Sequence, residues 1–408
     1  MINPALVERI FSAASIERWN DYPRPGAFIE LGKQAHKMII AWLIAMSDDS
    51  EDDMELNLSG ESRGKINFDA LIECGIFEFL HRVVVTDIRP PVFRMLMKKA
   101  EDRRKLNNWV EQQLREEIEP IPRGFAERFS IYFKDESFCS LERKILKAAH
   151  YLPTYWEFEF IRNWSGDMYG IEKTRREIST QIWELSDIPA VHKILDAPHA
   201  REGAFVSLVG QLNFQKRWAQ VPRIPETSVL GHLFFVAVMS WLLTLEIGAC
   251  SKRMQNNFFA GLFHDLPEVL TRDIISPVKK SVEGLNSLIK SYEHEAMQER
   301  ILSLLPEPMA NQLSYYTRDE FENKTRSGGS IVIHERELDI NLTDDDDPID
   351  GKIIELCDKF AAYIECAESI NNGISPKSLR ESKAALYDRF KDRVISGFEA
   401  RKLFDPFN

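Results

Sequence analysis

Four ionisable residues sit in stretches of sequence that would otherwise read as core: His232 in SVLGHLFFVAV, His264 and Asp265 in FFAGLFHDLPEV, and Asp358 in IIELCDKFAAYI. An isolated charge is costly to bury, so such groups need a partner or a metal ion. Imidazole nitrogen together with carboxylate oxygen suits a divalent cation such as Mn²⁺, Fe²⁺, Co²⁺, Ni²⁺ or Zn²⁺, with Mg²⁺ also open. Singly, each has a plainer reading: a satisfied core histidine for His232, a common dipeptide for His264-Asp265, a helix cap or ion-pair partner for Asp358. In this order, on three helices that a bundle can point toward one spot, they read together as a metal site.

The elements that must position them show helical periodicity. Apolar residues recur at three- and four-residue spacing over Phe28–Ala45, Phe68–Phe79, Leu141–Ile161, Val229–Ala249, Asn256–Pro267, Ile353–Ile370 and Pro376–Phe404. Only the IVI at 331–333 has strand character, so the expectation is an all-α chain. Ser47–Arg63 and Ser327–Asp350 read as loops. The acidic run Asp344–Asp347 lacks the glycine and closing glutamate of an EF-hand and reads as a solvated loop.

The chain also resembles itself. Arg18-Trp19, with Pro23-Arg24, repeats as Arg217-Trp218, with Pro222-Arg223. An apolar helix with an early histidine follows each, His36 in one half and His232 in the other. Gly75-Ile76-Phe77-Glu78-Phe79 then parallels Gly261-Leu262-Phe263-His264-Asp265, Asp87-Ile88 parallels Asp273-Ile274, and Pro91-Val92 parallels Pro277-Val278. The expectation is two copies of one helical domain, residues 1–200 and 201–408. In this alignment Glu78 stands for His264, Phe79 for Asp265, Arg82 for Glu268, and Lys147 falls at or near Asp358. Phenylalanine cannot ligate and an ammonium repels a cation, so the first copy should hold no metal. Arg18, Trp19, Arg24 and Arg82 remain in it as anion contacts; the copy reads either as a structural partner or as a regulatory nucleotide pocket.

The pattern H…HD…D on helices resembles the HD superfamily of metal-dependent phosphohydrolases, and over about 211–375 it is similar to the bacterial 5′-deoxynucleotidases of that superfamily. The resemblance rests on Arg217-Trp218 ahead of His232, on the segment from His264 through Glu268, Thr271, Asp273 and Pro277-Val278-Lys279, and on Asp358 with Tyr363 and Cys366. The chain departs from the pattern at Leu230-Gly231 and in its additional first half. The resemblance implies tandem HD-type domains with His232, His264, Asp265 and Asp358 as ligands of one divalent ion. It implies Glu268 as general acid/base or water-orienting group and Arg217 as the phosphate-orienting residue. Trp218, His232, Asp273, Ile274, Ile275 and Ser276 would complete the substrate pocket. The implied activity is release of phosphate from nucleoside 5′-monophosphates, 2′-deoxy forms preferred. Hydrolysis of another phosphoester, a nucleoside triphosphate or an alarmone, is a second reading, and a non-catalytic nucleotide sensor a third.

Composition bounds the rest. Of 408 residues, 52 are Lys or Arg and 64 are Asp or Glu, giving a net charge of −12 that disfavours nucleic acid as a partner. The apolar stretch 230–249 carries His232 and Glu246 and suits a buried helix better than a membrane span. Five scattered cysteines without a C-x-x-C pair, and a first segment without a signal-peptide pattern, point to a cytoplasmic protein. The expected partner is a small nucleotide. Pairing of the two halves within the chain is expected, with a homodimer as a further option.

Overall fold

The computed structural model describes residues 2–51, 66–86, 88–272 and 285–408. They are all-α. Helices Glu30–Glu51, Phe68–Val85 and Ser140–Ser165 dominate the first half, and helices Val229–Glu246, Ser251–Phe263 and Gly351–Asn371 the second. Side-chain caps set several of the starts: Asn67 accepts from Ala70 N, Ser228 from Gly231 N and Asp350 from Ile353 N. Each cap satisfies an amide that the first helical turn leaves without a partner. The strands form three two-stranded antiparallel ribbons, at 17–18 with 28–29, 323–327 with 330–334, and 394–395 with 398–399.

Helix Val229–Glu246 is the one among the described residues long and apolar enough to cross a membrane, and 94% of it is buried inside the protein. It has no polar face because it is covered on every side: helices Glu30–Glu51, Ser251–Phe263 and Gly351–Asn371 all pack on it. It meets helix Glu30–Glu51 near its first turn, where Gly32 and Gly231 abut. A Cβ on Gly231 would lie 3.2 Å from Leu31 Cβ and 3.5 Å from the Gly32 amide nitrogen, so the glycines permit this crossing. Edge-on aromatic pairs extend the contact between halves, Trp42 on Phe263 at 5.1 Å and Phe79 on Phe234 at 4.8 Å between centroids. One continuous apolar core results.

Three expectations change. The periodic segment 256–267 is helical only to Phe263, because Pro267 has no amide to donate and disfavours helical backbone at the residue before it. The segment 376–404 is not one helix; it stops at Phe390, and Ser396 and Gly397, with φ of 48° and 79°, turn a hairpin. The expected loop 327–350 includes the strand Ser330–His334 and a capped turn at Asp344–Asp346. Within its acidic run, Asp347 accepts from Asn256 and Arg326, and Asp344 from the Lys252 amide. These carboxylates fasten loops. Helix Glu30–Glu51 runs into the expected loop 47–63, whose residues from 52 onward lie outside the described ones.

Two histidines are held as neutral core groups. His36 is 2% exposed with Nε2 2.9 Å from the Val206 carbonyl, and His81 is 5% exposed with Nε2 3.1 Å from Asn107 Oδ1. Burial lowers both from 6.5 to about 4, against a weaker opposing hydrogen bond. Between those values the unfolded chain binds the protons that the folded rings refuse, so stability is full above pH 6.5 and falls as pH drops toward 4. The expected loss by pH 5 is about 2 kcal/mol per ring, read as a lower melting temperature than at pH 7.5. His36→Gln should remove part of that pH dependence.

Candidate metal centre

His232 lies in the first turn of helix Val229–Glu246, His264 and Asp265 directly follow helix Ser251–Phe263, and Asp358 sits two turns into helix Gly351–Asn371. The fold brings them together, with one donor atom from each within 4.8 Å of all the others. His232 Nε2 is 3.1 Å from Asp358 Oδ1 and 3.8 Å from Asp265 Oδ2; His264 Nε2 is 3.3 Å from Asp265 Oδ2 and 3.9 Å from Asp358 Oδ1. Donors bonded to one ion at about 2.0–2.2 Å stand roughly 3–3.5 Å apart, so the spacing is near that of a coordination shell.

The donor set passes a second test of fit. His232 Nε2 and His264 Nε2 are buried and lack a well-directed hydrogen bond, although carboxylate oxygens stand beside them. His264 Nδ1 lies 2.8 Å from the Gly261 carbonyl, a contact in which the ring donates. That hydrogen bond selects the tautomer whose Nε2 lone pair faces the cluster, a common support for a metal-bound histidine. Burial opposes charge on Asp265 and on Asp358, yet His264 holds the first below the usual carboxylate range, and Lys359 and His232 hold the second there. The four groups can hold a divalent cation.

Around them lies a second set of ionised groups. Arg217, whose side chain is 11% exposed, places Nη1 3.6 Å from Asp265 Oδ2 and Nε 3.4 Å from Glu365 Oε1. Trp218 Nε1 donates to Glu365 Oε2 at 2.7 Å, and Thr227 Oγ1 donates to the other oxygen. Trp218 has φ of 54°, the left-handed region, so its ring direction is imposed by the fold. Glu268 opens the short helix Glu268–Thr271, is 9% exposed, and contributes to the field that raises Arg217. It is reached through a turn after His264. Consecutive tight turns carry the chain there, Leu266 N to the Phe263 carbonyl and Glu268 N to the Asp265 carbonyl. Asp273, Ile274, Ile275 and Ser276 lie outside the described residues.

Glu365 is the residue that sequence reasoning missed. It is buried, one helix face along from Asp358 at a spacing of seven, in a stretch whose apolar neighbours gave the available signal. Burial alone would raise its pKa; Arg217 and Arg223 bring it down to about 2.

The first half repeats this frame with different chemistry. Trp19 has φ of 57°, and its Nε1 donates to Glu157 Oε2 at 2.7 Å, with Arg18 Nη2 2.9 Å from the same oxygen. Glu30 N donates to the Ile16 carbonyl as Val229 N donates to the Gln215 carbonyl. Counted from these hydrogen bonds, Lys33 is the counterpart of His232, and His150 that of Asp358. Lys33 Nζ lies 2.5 Å from His150 Nδ1. The expected counterparts shift accordingly. His36 turns to the Val206 carbonyl, and Lys147 pairs at the surface with Glu184. Glu78 is tied up by Lys37 and Tyr132, Phe79 packs on Phe234, and Arg82 Nε lies 3.4 Å from Glu30 Oε2.

Removing Glu365 should expose its part in this arrangement. Glu365→Leu leaves the Arg217 and Arg223 guanidinium groups buried without their shared carboxylate, an expected cost of about 3–5 kcal/mol read as a lowered melting temperature. Glu365→Gln, whose amide oxygen can still accept from the Trp218 indole while its NH2 donates to the Thr227 hydroxyl, should fall less.

Residues 209–386 match the family model described as HD domain. The 5′-deoxynucleotidase of Photobacterium profundum is 25% identical over 175 residues, covering 41% of this chain and 76% of that protein. The 5′-deoxynucleotidase of Vibrio atlanticus is 22% identical over 205 residues, 50% of this chain and 88% of its own length. That of Vibrio vulnificus is 24% identical over 219 residues, 49% and 96% respectively. No solved structure matches significantly. The matched span contains His232, His264, Asp265 and Asp358, and over it the chain is similar to the HD domain family and to the bacterial 5′-deoxynucleotidases.

Proposed function

We propose that the second half is a metal-dependent phosphohydrolase acting on nucleoside 5′-monophosphates, and that the first half is a second HD-type copy without a metal site. The family match and the named relatives support the broader class, an HD-type phosphohydrolase. The observation that carries the finer reading is the buried His232, His264, Asp265 and Asp358 cluster with Arg217 at 3.6 Å from one of its carboxylates. A lone guanidinium beside a cation site suits a dianionic group that bridges both, as a terminal phosphate does.

In this reading His232, His264, Asp265 and Asp358 hold one divalent ion, which when bound would make a water acidic and polarise a phosphoryl oxygen. Arg217 binds and orients the phosphate. Its guanidinium is kept charged by Glu365, Asp358 and Asp265 despite burial, and its direction is fixed before substrate arrives. Glu268, mostly enclosed, holds the proton that goes to the departing 5′-oxygen. Trp218, locked by Glu365, offers an apolar wall for the nucleoside. A preference for 2′-deoxy sugars would follow from a closed pocket at C2′, where an extra hydroxyl without a partner costs about 1–3 kcal/mol. That corresponds to roughly ten- to a hundred-fold discrimination.

Phosphate release from dAMP, AMP, dATP and a cyclic nucleotide, each with Mn²⁺, Co²⁺, Mg²⁺ or Zn²⁺, tests the substrate class. The expected result is monophosphate hydrolysis with dAMP ahead of AMP. Activity confined to triphosphates or cyclic diesters would instead favour hydrolysis of another phosphoester. Arg217→Ala should reduce turnover severely, whereas Glu268→Ala should abolish it while leaving the metal in place.

Elemental analysis of the full chain checks the ligand set separately from catalysis. One divalent ion per chain is expected in the native protein, none in Asp265→Ala, and no second equivalent assignable to the first half. Full occupancy in Asp265→Ala would remove this site from consideration.

A further inference from the structure

A cavity of about 1060 Å³ opens in the first half, lined entirely by residues between Arg18 and Ile178; none of the metal-cluster residues borders it. Among its lining are His150 and Glu78, which the repeat sets against Asp358 and His264, together with Lys37, Arg82, Arg18 and Trp19. Where the second half gathers imidazole and carboxylate for a cation, the first gathers ammonium and guanidinium groups.

The charge of the wall is uneven in a way the whole chain is not. Nine arginine and lysine side chains line the cavity against four carboxylates, in a protein whose net charge is −12. The deeper bases are balanced from behind, Arg18 by Glu157 and Glu30, and Lys37 by Glu78. Toward solvent, Arg89, Arg94 and Arg103 pair with Asp21, Glu177 and Glu136, all at least about a third exposed. Pairs of that kind are weak and exchangeable. Arg104 is exposed and has no ion pair among the described residues. These arginines come from consecutive helices, Pro90–Lys98 and Ala100–Ile118, and the loop before them, so they form a row and not a point. Aromatic surface completes the wall. Trp19 and Tyr22 stand edge-on at 6.1 Å, and His81 stacks on Phe133 at 4.6 Å.

We propose that this cavity is a second ligand site that takes a nucleoside di- or triphosphate and does not hydrolyse it. A row of guanidinium groups matches several phosphates in series. The aromatic wall matches a base, and the volume is that of a small-molecule site. Hydrolysis is absent because Lys33, Glu78, Phe79 and His150 stand where a cation would be held, with Glu78 already bonded to Lys37 and Tyr132. The site rests on the cavity alone and stands or falls apart from the activity of the second half.

The test is direct binding without turnover. The full-length Asp265→Ala chain in chelator is titrated calorimetrically with dATP, with inorganic tripolyphosphate, and with deoxyadenosine. Saturable binding of one dATP per chain is expected, competed by tripolyphosphate and not by deoxyadenosine. Arg94→Glu combined with Arg104→Glu should weaken it by at least about tenfold, and Arg104→Gln, at an exposed position, should weaken it less. Arg217→Ala should leave it unchanged. Absence of saturable dATP binding would overturn the proposal. So would binding that survives both charge reversals, binding lost in Arg217→Ala, or competition by deoxyadenosine but not by tripolyphosphate.

Discussion

The shared carboxylate of Glu365 is the interaction on which the candidate centre depends. It is buried inside an apolar helix and would be untenable there alone, but two guanidinium groups, an indole N–H and a hydroxyl converge on it. Because all four come from the segment before helix Val229–Glu246, one carboxylate fastens that segment against helix Gly351–Asn371. The fastening aims Arg217 at Asp265 and sets the register in which His232, the fourth residue of the helix, meets Asp358. The candidate ligands are therefore placed by a network that contains none of them.

The same fastening in the first half explains how that half can keep its form without the chemistry. Glu157 holds Arg18 and Trp19 as Glu365 holds Arg217 and Trp218, at the same indole distance of 2.7 Å and with the same left-handed tryptophan backbone. Once the frame is fixed, the side chains projecting inward from it can change sign. Lys33 and His150 replace a histidine–aspartate pair, and their like tendency toward positive charge is resolved by burial, which pushes both groups well below their ordinary values. The surplus of bases then faces the cavity, while Glu30 and Glu157 stay behind it as counter-charges.

Much of this was legible before any coordinates. Helical periodicity gave the element class and most boundaries, and ionisable residues inside apolar runs marked the four residues that the fold brings together, because both signals are local. The R-W-x-x-x-P-R repeat marked the two tryptophans that each donate to a buried glutamate. What failed was the alignment inside the repeat. His36 was matched to His232 by residue type, although counting from the tryptophans leads to Lys33, in L-G-K against L-G-H. Chemical identity was a poorer guide than spacing because the copies differ at the very positions where chemistry sits. Glu365 escaped notice since a glutamate at the helix face of Asp358 is ordinary until its partners are known, and those partners are about 140 residues away in the chain.

The contrast between the halves also bears on what each can bind. A cation site needs acceptors whose lone pairs face inward, and His264 achieves this by giving its other nitrogen to the Gly261 carbonyl. An anion site needs only donors, which lysine and arginine supply in any rotamer, so losing the ligand geometry does not remove the capacity to hold a phosphate. In the first half, Phe79 has settled into the aromatic contact with Phe234 that joins it to the second. An aspartate at that place would bury a carboxylate against a phenyl ring, so the packing between the halves itself opposes a cation site there.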